Sequence, residues 1–119
     1  MDDFVEVGKR ADLASGQMKM VNVDGAEVLL ARVGDDFYAT QNRCNHMGGN
    51  LSAGTLAGTI VTCPRHHSQY DLRDGRVVRW TDWTGVKLFF ARVFKPPKAL
   101  ATYPVKLDGD RVLVRAKPG

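Results

Sequence analysis

Short runs of alternating apolar and polar residues, separated by turn-forming dipeptides, occupy most of the chain. Residues 18–23 and 26–33 form two such runs, with Asp24-Gly25 between them. An Asp-Gly pair between β-rich runs is a strong hairpin signal because both residues tolerate a positive φ. Similar turn signals recur at Gly34-Asp35, Asp74-Gly75 and Asp108-Gly109-Asp110. This spacing predicts an all-β fold, an antiparallel β-sandwich or barrel, with further strands at 36–40, 70–73, 76–79, 103–107 and 111–115.

One segment has the periodicity of a helix instead of a strand. Apolar residues recur at i, i+3, i+4, i+7 and i+8, at Val86, Phe89, Phe90, Val93 and Phe94. Thr84 is a suitable N-cap, and Pro96-Pro97 would end the helix because proline lacks a backbone N–H. We therefore expect one short helical insert at about residues 79–97, held in place by tertiary packing.

The insert is also rich in aromatic residues, since Trp80 and Trp83 precede its three phenylalanines. Such an apolar face either packs on the sandwich as a lid or stays exposed as an anchor. An anchor would bind a partner protein, or a second copy of the chain to give a homo-oligomer. Binding to a membrane surface is a weaker third alternative.

Length and composition bound the class of protein. The chain has 119 residues, of which 44% are hydrophobic and 25% charged, so we expect a single domain spanning residues 1–119. No apolar run approaches the roughly 18 residues of a membrane-spanning helix. The acidic start lacks the pattern of a secretory signal, and two cysteines are too few for a disulfide framework. A cytoplasmic protein without a membrane span is expected.

The net charge of +4 is unevenly distributed. Residues 1–72 contain 6 Lys and Arg against 9 Asp and Glu, whereas residues 73–119 contain 11 against 4. The basic carboxy-terminal part is either a solvated surface or a docking face for an acidic protein. Because no helix-turn-helix, zinc-finger or RNP pattern accompanies the charge, we expect no nucleic-acid partner.

The scarce ligand-type residues form two tight pairs. Cys44-Asn45-His46 is followed by Gly48-Gly49, and Cys63-Pro64-Arg65-His66 follows a strand-like run, so both pairs lie in loops. Two thiols and two imidazoles on two loops predict a metal site. If both cysteines bind one iron and both histidines the other, the loops clamp a two-iron cluster, which is Rieske ligation. Zinc stays open, although its sites commonly use C-x₂₋₄-C and H-x₃₋₅-H pairs.

Residues 44–54 and 63–75 resemble the two cluster-binding boxes of Rieske [2Fe-2S] proteins, above all the small soluble Rieske-type ferredoxins. The 103–106 strand and the turn after it agree with this family as well. The resemblance covers nearly the whole chain except residues 79–97. It implies a base of antiparallel strands, with a cluster-binding subdomain at about residues 42–73.

The resemblance also implies roles for individual residues. One [2Fe-2S] cluster per chain would be held by Cys44 and Cys63 on the inner iron and by His46 and His66 on the outer iron. The outer imidazoles would be the exit for the electron. Residues implied to surround the cluster are Gly48, Gly49, His67, Ser68 and Tyr70, and those implied to cover it are Leu51, Pro96 and Pro97.

Two of these residues bear on the reduction potential. In respiratory-chain Rieske proteins, hydroxyls at the positions of Ser68 and Tyr70 donate to a bridging sulfide and a ligand thiolate. This chain has both hydroxyls but lacks the additional disulfide-forming cysteine in each box. We therefore expect a potential between those of typical oxygenase ferredoxins and respiratory proteins. Histidine ligation further predicts that the potential falls at alkaline pH.

The resemblance implies a one-electron carrier that passes electrons from a reductase to a terminal oxygenase or a similar enzyme. No Ser/His/Asp set or carboxylate pair stands out once the histidines are assigned to iron, so we do not expect an enzyme. One alternative is a small Rieske subunit of a reductase complex such as nitrite reductase. A second alternative is a zinc-binding interaction module.

Overall fold

The computed structural model describes residues 4–44, 49–64, 67–79 and 99–116. Within these ranges the strands are β1 (Val5–Lys9), β2 (Gln17–Val23), β3 (Ala26–Val33), β4 (Asp36–Gln41), β5 (Thr55–Ala57), β6 (Ile60–Thr62), β7 (Gln69–Asp71), β8 (Val77–Arg79), β9 (Thr102–Tyr103), β10 (Val105–Asp108) and β11 (Arg111–Val114). Two short 3-10 helices lie at Arg10–Asp12 and Leu51–Ala53. Neither is long and apolar enough to cross a membrane.

The strands form three antiparallel sheets. Their orders are β1-β11-β10, β2-β3-β4-β9 and β5-β6-β7-β8. The all-β antiparallel prediction is therefore confirmed. The predicted helix lies outside the described residues, which end before it at Arg79 and resume at Ala99.

The hairpin of β2 and β3 shows how the turn residues set the register. The strands pair from Gln17 opposite Arg32 to Val23 opposite Ala26. Asp24 and Gly25 connect them with φ values of 52° and 87°. A two-residue turn with two positive φ angles matches the right-handed twist of the paired strands. The hairpin predicted from Asp24-Gly25 is confirmed.

Strand β3 is buried on both of its faces, and it separates two cores. Val28 and Leu30 face one core, whereas Leu29 and Ala31 face the other, as the alternation of side chains along a strand requires. The apolar core comprises Leu13, Val23, Val28, Leu30, Phe37, Ala39, Val112 and Val114. The cysteine core comprises Leu29, Ala31, Cys44, Leu51, Val61, Cys63, Tyr70, Leu72 and Leu100.

The predicted strand at 103–107 is wrong as a single element. Tyr103 ends β9 and pairs with Ala39 of β4, whereas Val105 begins β10 and pairs with Val114 of β11. Pro104 lies between them and has no N–H to donate to either sheet. The chain therefore changes sheets at the proline.

Candidate metal centre

Both cysteines lie in the cysteine core, although they come from different loops. Cys63 directly follows β6, whereas Cys44 follows an isolated bridge between Arg43 and Asn50. Cys44 is 3% exposed and Cys63 is 1% exposed. No disulfide joins them. Two buried thiols from separate loops thus belong to one core.

The first cysteine loop, residues 42–54, is closed at its base by Asn42. The Asn42 Nδ2 donates to Asn50 Oδ1 at 2.7 Å, and the Asn42 Oδ1 accepts from the amide of Ser52 at 3.0 Å. The amide of Cys44 donates to the carbonyl of Gly49 at 2.8 Å. Asn42 is 1% exposed, and a buried polar side chain needs hydrogen-bond partners. Its two side-chain hydrogen bonds take the place of the backbone pairing that a strand would supply. The base of the loop is therefore fixed without a regular strand.

Gly54 brings the first cysteine loop against the strand that leads to Cys63. An added Cβ at Gly54 would lie 1.9 Å from the main-chain oxygen of Thr62. No side chain can occupy that space, so a close backbone approach explains the glycine. The glycine lets the two loops meet.

The second cysteine loop, residues 63–68, turns back on itself. The amide of Cys63 donates to the carbonyl of Ser68 at 2.8 Å, and the amide of His67 donates to the carbonyl of Cys63 at 3.1 Å. His67 has a φ of 60°, in the left-handed region. Ser68 is fully buried, whereas His67 is exposed. Main-chain hydrogen bonds therefore hold Cys63 next to His67 and Ser68.

Arg79, the last residue of β8, contacts this loop through its side chain. Its Nε and Nη2 both donate to the carbonyl oxygen of His67, at 3.1 and 2.9 Å. Sequence reasoning missed this contact because a side chain bonding to a main-chain carbonyl leaves no mark in residue spacing.

Tyr70 of β7 places its hydroxyl beside the first cysteine loop. Its Oη lies 3.3 Å from the Sγ of Cys44, and the residue is fully buried. Ligand thiolates commonly accept hydrogen bonds from neighbouring groups, which adjust the properties of the metal they bind. A phenolic hydroxyl at this distance suits a cysteine that serves as a ligand.

Asp71 is a buried carboxylate directly after Tyr70. Its Oδ2 accepts from Arg73 Nη2 at 2.8 Å and from Arg76 Nη2 at 3.3 Å. Hydrogen bonding from Arg73 holds the pKa of Asp71 well below its usual range, against the opposing effect of burial. Sequence reasoning missed Asp71, although an acidic residue followed closely by two arginines is a usable signal. The carboxylate braces the turn between β7 and β8.

The structure describes Cys44, Cys63, Gly49, Leu51, His67, Ser68 and Tyr70 among the predicted site residues. Leu51 is fully buried in the cysteine core. Outside the described residues lie His46, Gly48, His66, Pro96 and Pro97. Within the described ranges, no three His, Cys, Asp or Glu side chains converge as a metal site.

Comparison with known proteins decides the family. Residues 3–104 match the model of the Rieske [2Fe-2S] domain. The chain belongs to this family. It accordingly carries a Rieske-type [2Fe-2S] cluster, and the buried thiol pair beside Tyr70 fits that group.

Several Rieske proteins are similar to this chain over nearly its whole length. A ferredoxin component of naphthalene 1,2-dioxygenase/salicylate 5-hydroxylase systems from Ralstonia sp is 32% identical, with 95% of each chain covered. The ferredoxin component of biphenyl 2,3-dioxygenase from Rhodococcus jostii (strain RHA1) is 32% identical over 98% of this chain and 95% of its own. The solved ferredoxin of carbazole 1,9a-dioxygenase from Nocardioides aromaticivorans IC177 has a TM-score of 0.78 at 28% identity, covering 96% of this chain and 98% of that one. On these similarities, the 119-residue chain is itself an electron carrier and not a catalytic enzyme.

Proposed function

We propose that Cys44, His46, Cys63 and His66 hold the cluster, and that the protein passes single electrons from a reductase to a terminal oxygenase. The observation that carries the ligand assignment is the meeting of two buried thiols from separate loops in one core. Each thiol belongs to a loop whose sequence places a histidine within three residues, His46 in the first loop and His66 in the second. The cluster supplies one-electron redox chemistry when bound.

The residues around the thiols have two tasks in this function. The apolar members of the cysteine core, among them Leu51 and Leu72, exclude water from both sulfurs. The Tyr70 hydroxyl, 3.3 Å from the Cys44 Sγ, would donate to that sulfur when it is a ligand thiolate, which stabilises negative charge on it. Because reduction adds negative charge, we expect the hydroxyl to favour the reduced state.

The choice of an oxygenase as acceptor rests on the relatives. The two relatives described above, from Ralstonia sp and Rhodococcus jostii, are named as ferredoxin components of dioxygenases or dioxygenase systems. One solved neighbour is a complex of reduced oxygenase and oxidised ferredoxin, matched at a TM-score of 0.78 and 26% identity. We place this carrier in the same kind of system, acting in the cytoplasm. The domain division of the proposal is a single domain with a cluster-binding subdomain at about 42–73 and an insert at about 79–97.

The ligand assignment is tested with two adjacent histidines. His66→Ala should abolish the rhombic EPR signal of anaerobically purified protein, whereas His67→Ala, its matched control, should keep it. Iron and sulfide analysis of both variants checks whether cluster loss accompanies the loss of signal. Retention of the signal in His66→Ala, or its loss only in His67→Ala, would overturn the assignment.

The electron-transfer role is tested by adding the reduced protein to the oxygenase and the reductase of a dioxygenase system. We expect the cluster to be reoxidised only when oxygenase is present, and substrate turnover to depend on the carrier. Stable co-purification with a nitrite reductase, without turnover in the oxygenase system, would favour the subunit of a reductase complex instead.

A further inference from the structure

We propose that Arg79 is a positioning residue for the second cysteine loop, holding the left-handed turn at His67 through the main-chain carbonyl. In the proposed function this turn directly follows the ligand His66, so the inference rests on that function. Arg79 would keep the cluster-bearing loop in its working conformation without touching the cluster itself. The Arg79 contact would serve to hold the backbone at His67 in position, and not to supply a positive charge.

The geometry of the contact supports this role. Two guanidinium nitrogens of Arg79 donate to one oxygen, at 3.1 and 2.9 Å. Hydrogen bonds from a charged donor are stronger than neutral ones, and a planar fork restricts the direction of approach. Arg79 is itself fixed by the sheet, because it pairs with Gln69 across β7 and β8. The contact therefore ties the loop to a strand.

The backbone at His67 needs such support. A φ of 60° brings the Cβ of a non-glycine residue close to the following carbonyl. Among the described residues, only Asp24 shares a positive φ without being glycine, and Asp24 lies in a hairpin turn that favours aspartate. His67 lies instead in the longer loop between β6 and β7, although histidine adopts a positive φ more readily than most residues. Strained positions of this kind persist when surrounding contacts hold them.

A shift at His67 would reach the groups beside the thiols. The carbonyl of Ser68, the next residue, accepts from the amide of Cys63 at 2.8 Å. Two residues further, Tyr70 lies 3.3 Å from the Sγ of Cys44. Release of the Arg79 contact should therefore disturb both hydroxyl-bearing residues through one short stretch of backbone.

The experiment separates position from charge by using four variants. Arg79→Gln removes the guanidinium, and Arg79→Lys keeps the charge without the planar fork. Arg43→Gln is the control: it removes a positive charge from the residue before Cys44, where the Arg43 side chain contacts Glu27. His67→Gly combined with Arg79→Gln removes the strain as well. Hydrogen exchange of the loop, the midpoint potential and the rate of cluster loss to a chelator are measured on the protein as purified.

Arg79→Gln should raise hydrogen exchange at residues 67–69 and the rate of cluster loss by about tenfold, the effect expected from losing a charged hydrogen bond. Arg79→Lys should resemble Arg79→Gln, Arg43→Gln should resemble wild type, and His67→Gly should restore the double variant towards wild type. Wild-type behaviour of Arg79→Lys, equal effects of Arg79→Gln and Arg43→Gln, or no rescue by glycine would each overturn the proposal.

The two proposals fail separately in this design. Amide hydrogen exchange reports on the conformation of the second cysteine loop whichever residues bind the metal. Faster exchange in Arg79→Gln would therefore support the positioning role even if His66 is not a ligand. Conversely, unchanged exchange in Arg79→Gln alongside loss of the EPR signal in His66→Ala would remove the positioning role and leave the ligand assignment intact.

Discussion

The apolar core and the cysteine core lie on opposite faces of β3, yet they bury different chemistry. The apolar core holds only aliphatic and phenylalanine side chains, whereas the cysteine core includes two thiols and a phenol. Three further buried polar residues, Asn42, Ser68 and Asp71, also lie in or beside the cysteine loops. One face of the central sheet thus supports the fold, and the other face supports both the fold and the site.

The largest effect should come from a ligand thiol. Cys63→Ser removes one sulfur at nearly constant volume, so we expect complete loss of the Rieske EPR signal and of bound iron, because a hydroxyl is a poor substitute for a thiolate. Leu30→Ala, in the apolar core, serves as the control and should keep its full iron content. A serine variant with a wild-type spectrum would contradict the assigned ligand.

Paired leucines test the difference between the cores directly. Leu30 and Leu51 are 2% and 0% exposed, and truncation of either to alanine should cost about 2–4 kcal/mol of unfolding free energy. Only Leu51→Ala should also shift the midpoint potential, because it opens the cysteine core to water. Denaturant titration and voltammetry of both variants check this. Equal potential shifts would show that the two cores are not independent.

Asp71 links stability in the cysteine region to pH. Its pKa is lowered from 3.8, so its stabilising effect is complete above that value and is lost as the pH falls through the lowered pKa. Asp71→Asn should cost about 2 kcal/mol at neutral pH, since its arginine partners are largely exposed. Denaturation at pH 7 and below pH 3 measures this. A difference between variant and wild type that grows in acid would refute the sign.

The smallest effect should come from a single hydroxyl. Tyr70→Phe removes the group 3.3 Å from the Cys44 Sγ and should lower the midpoint potential by about 20–60 mV, the one-electron equivalent of one net hydrogen bond. Tyr103→Phe, beside the apolar core, is the matched control and should leave the potential unchanged. Voltammetry that found equal shifts in the two variants would remove the special role of Tyr70.

Sequence patterns predicted the strands well where turns are local. Asp24-Gly25 and Asp108-Gly109-Asp110 identify hairpins because their backbone requirements are met within a few residues. The break at Pro104 was missed, because alternation continues across it while its neighbours Tyr103 and Val105 join different sheets.

The candidate site was predictable only in part. Cys44 and Cys63 stand out by residue type and spacing, and the structure brings both into one core. Asn42 and Arg79 were not predicted, since their roles depend on carbonyls and side chains brought near by folding. Asp71 was missed although its arginine partners follow within five residues. The assignment of His46 and His66 as ligands stays a prediction, to be decided by the EPR experiment.

The pairing of β1 with β11 sets the order in which this chain can fold. Val5 lies opposite Val114, so β1 has no partner in its sheet until residues 111–114 have been synthesised. The β2-β3-β4 meander and the strands flanking Cys63 close over much shorter loops and should form first. Both cysteines would then be brought into one core before the sheet of β1, β11 and β10 has formed. We expect stopped-flow refolding to show the β1–β11 sheet forming last.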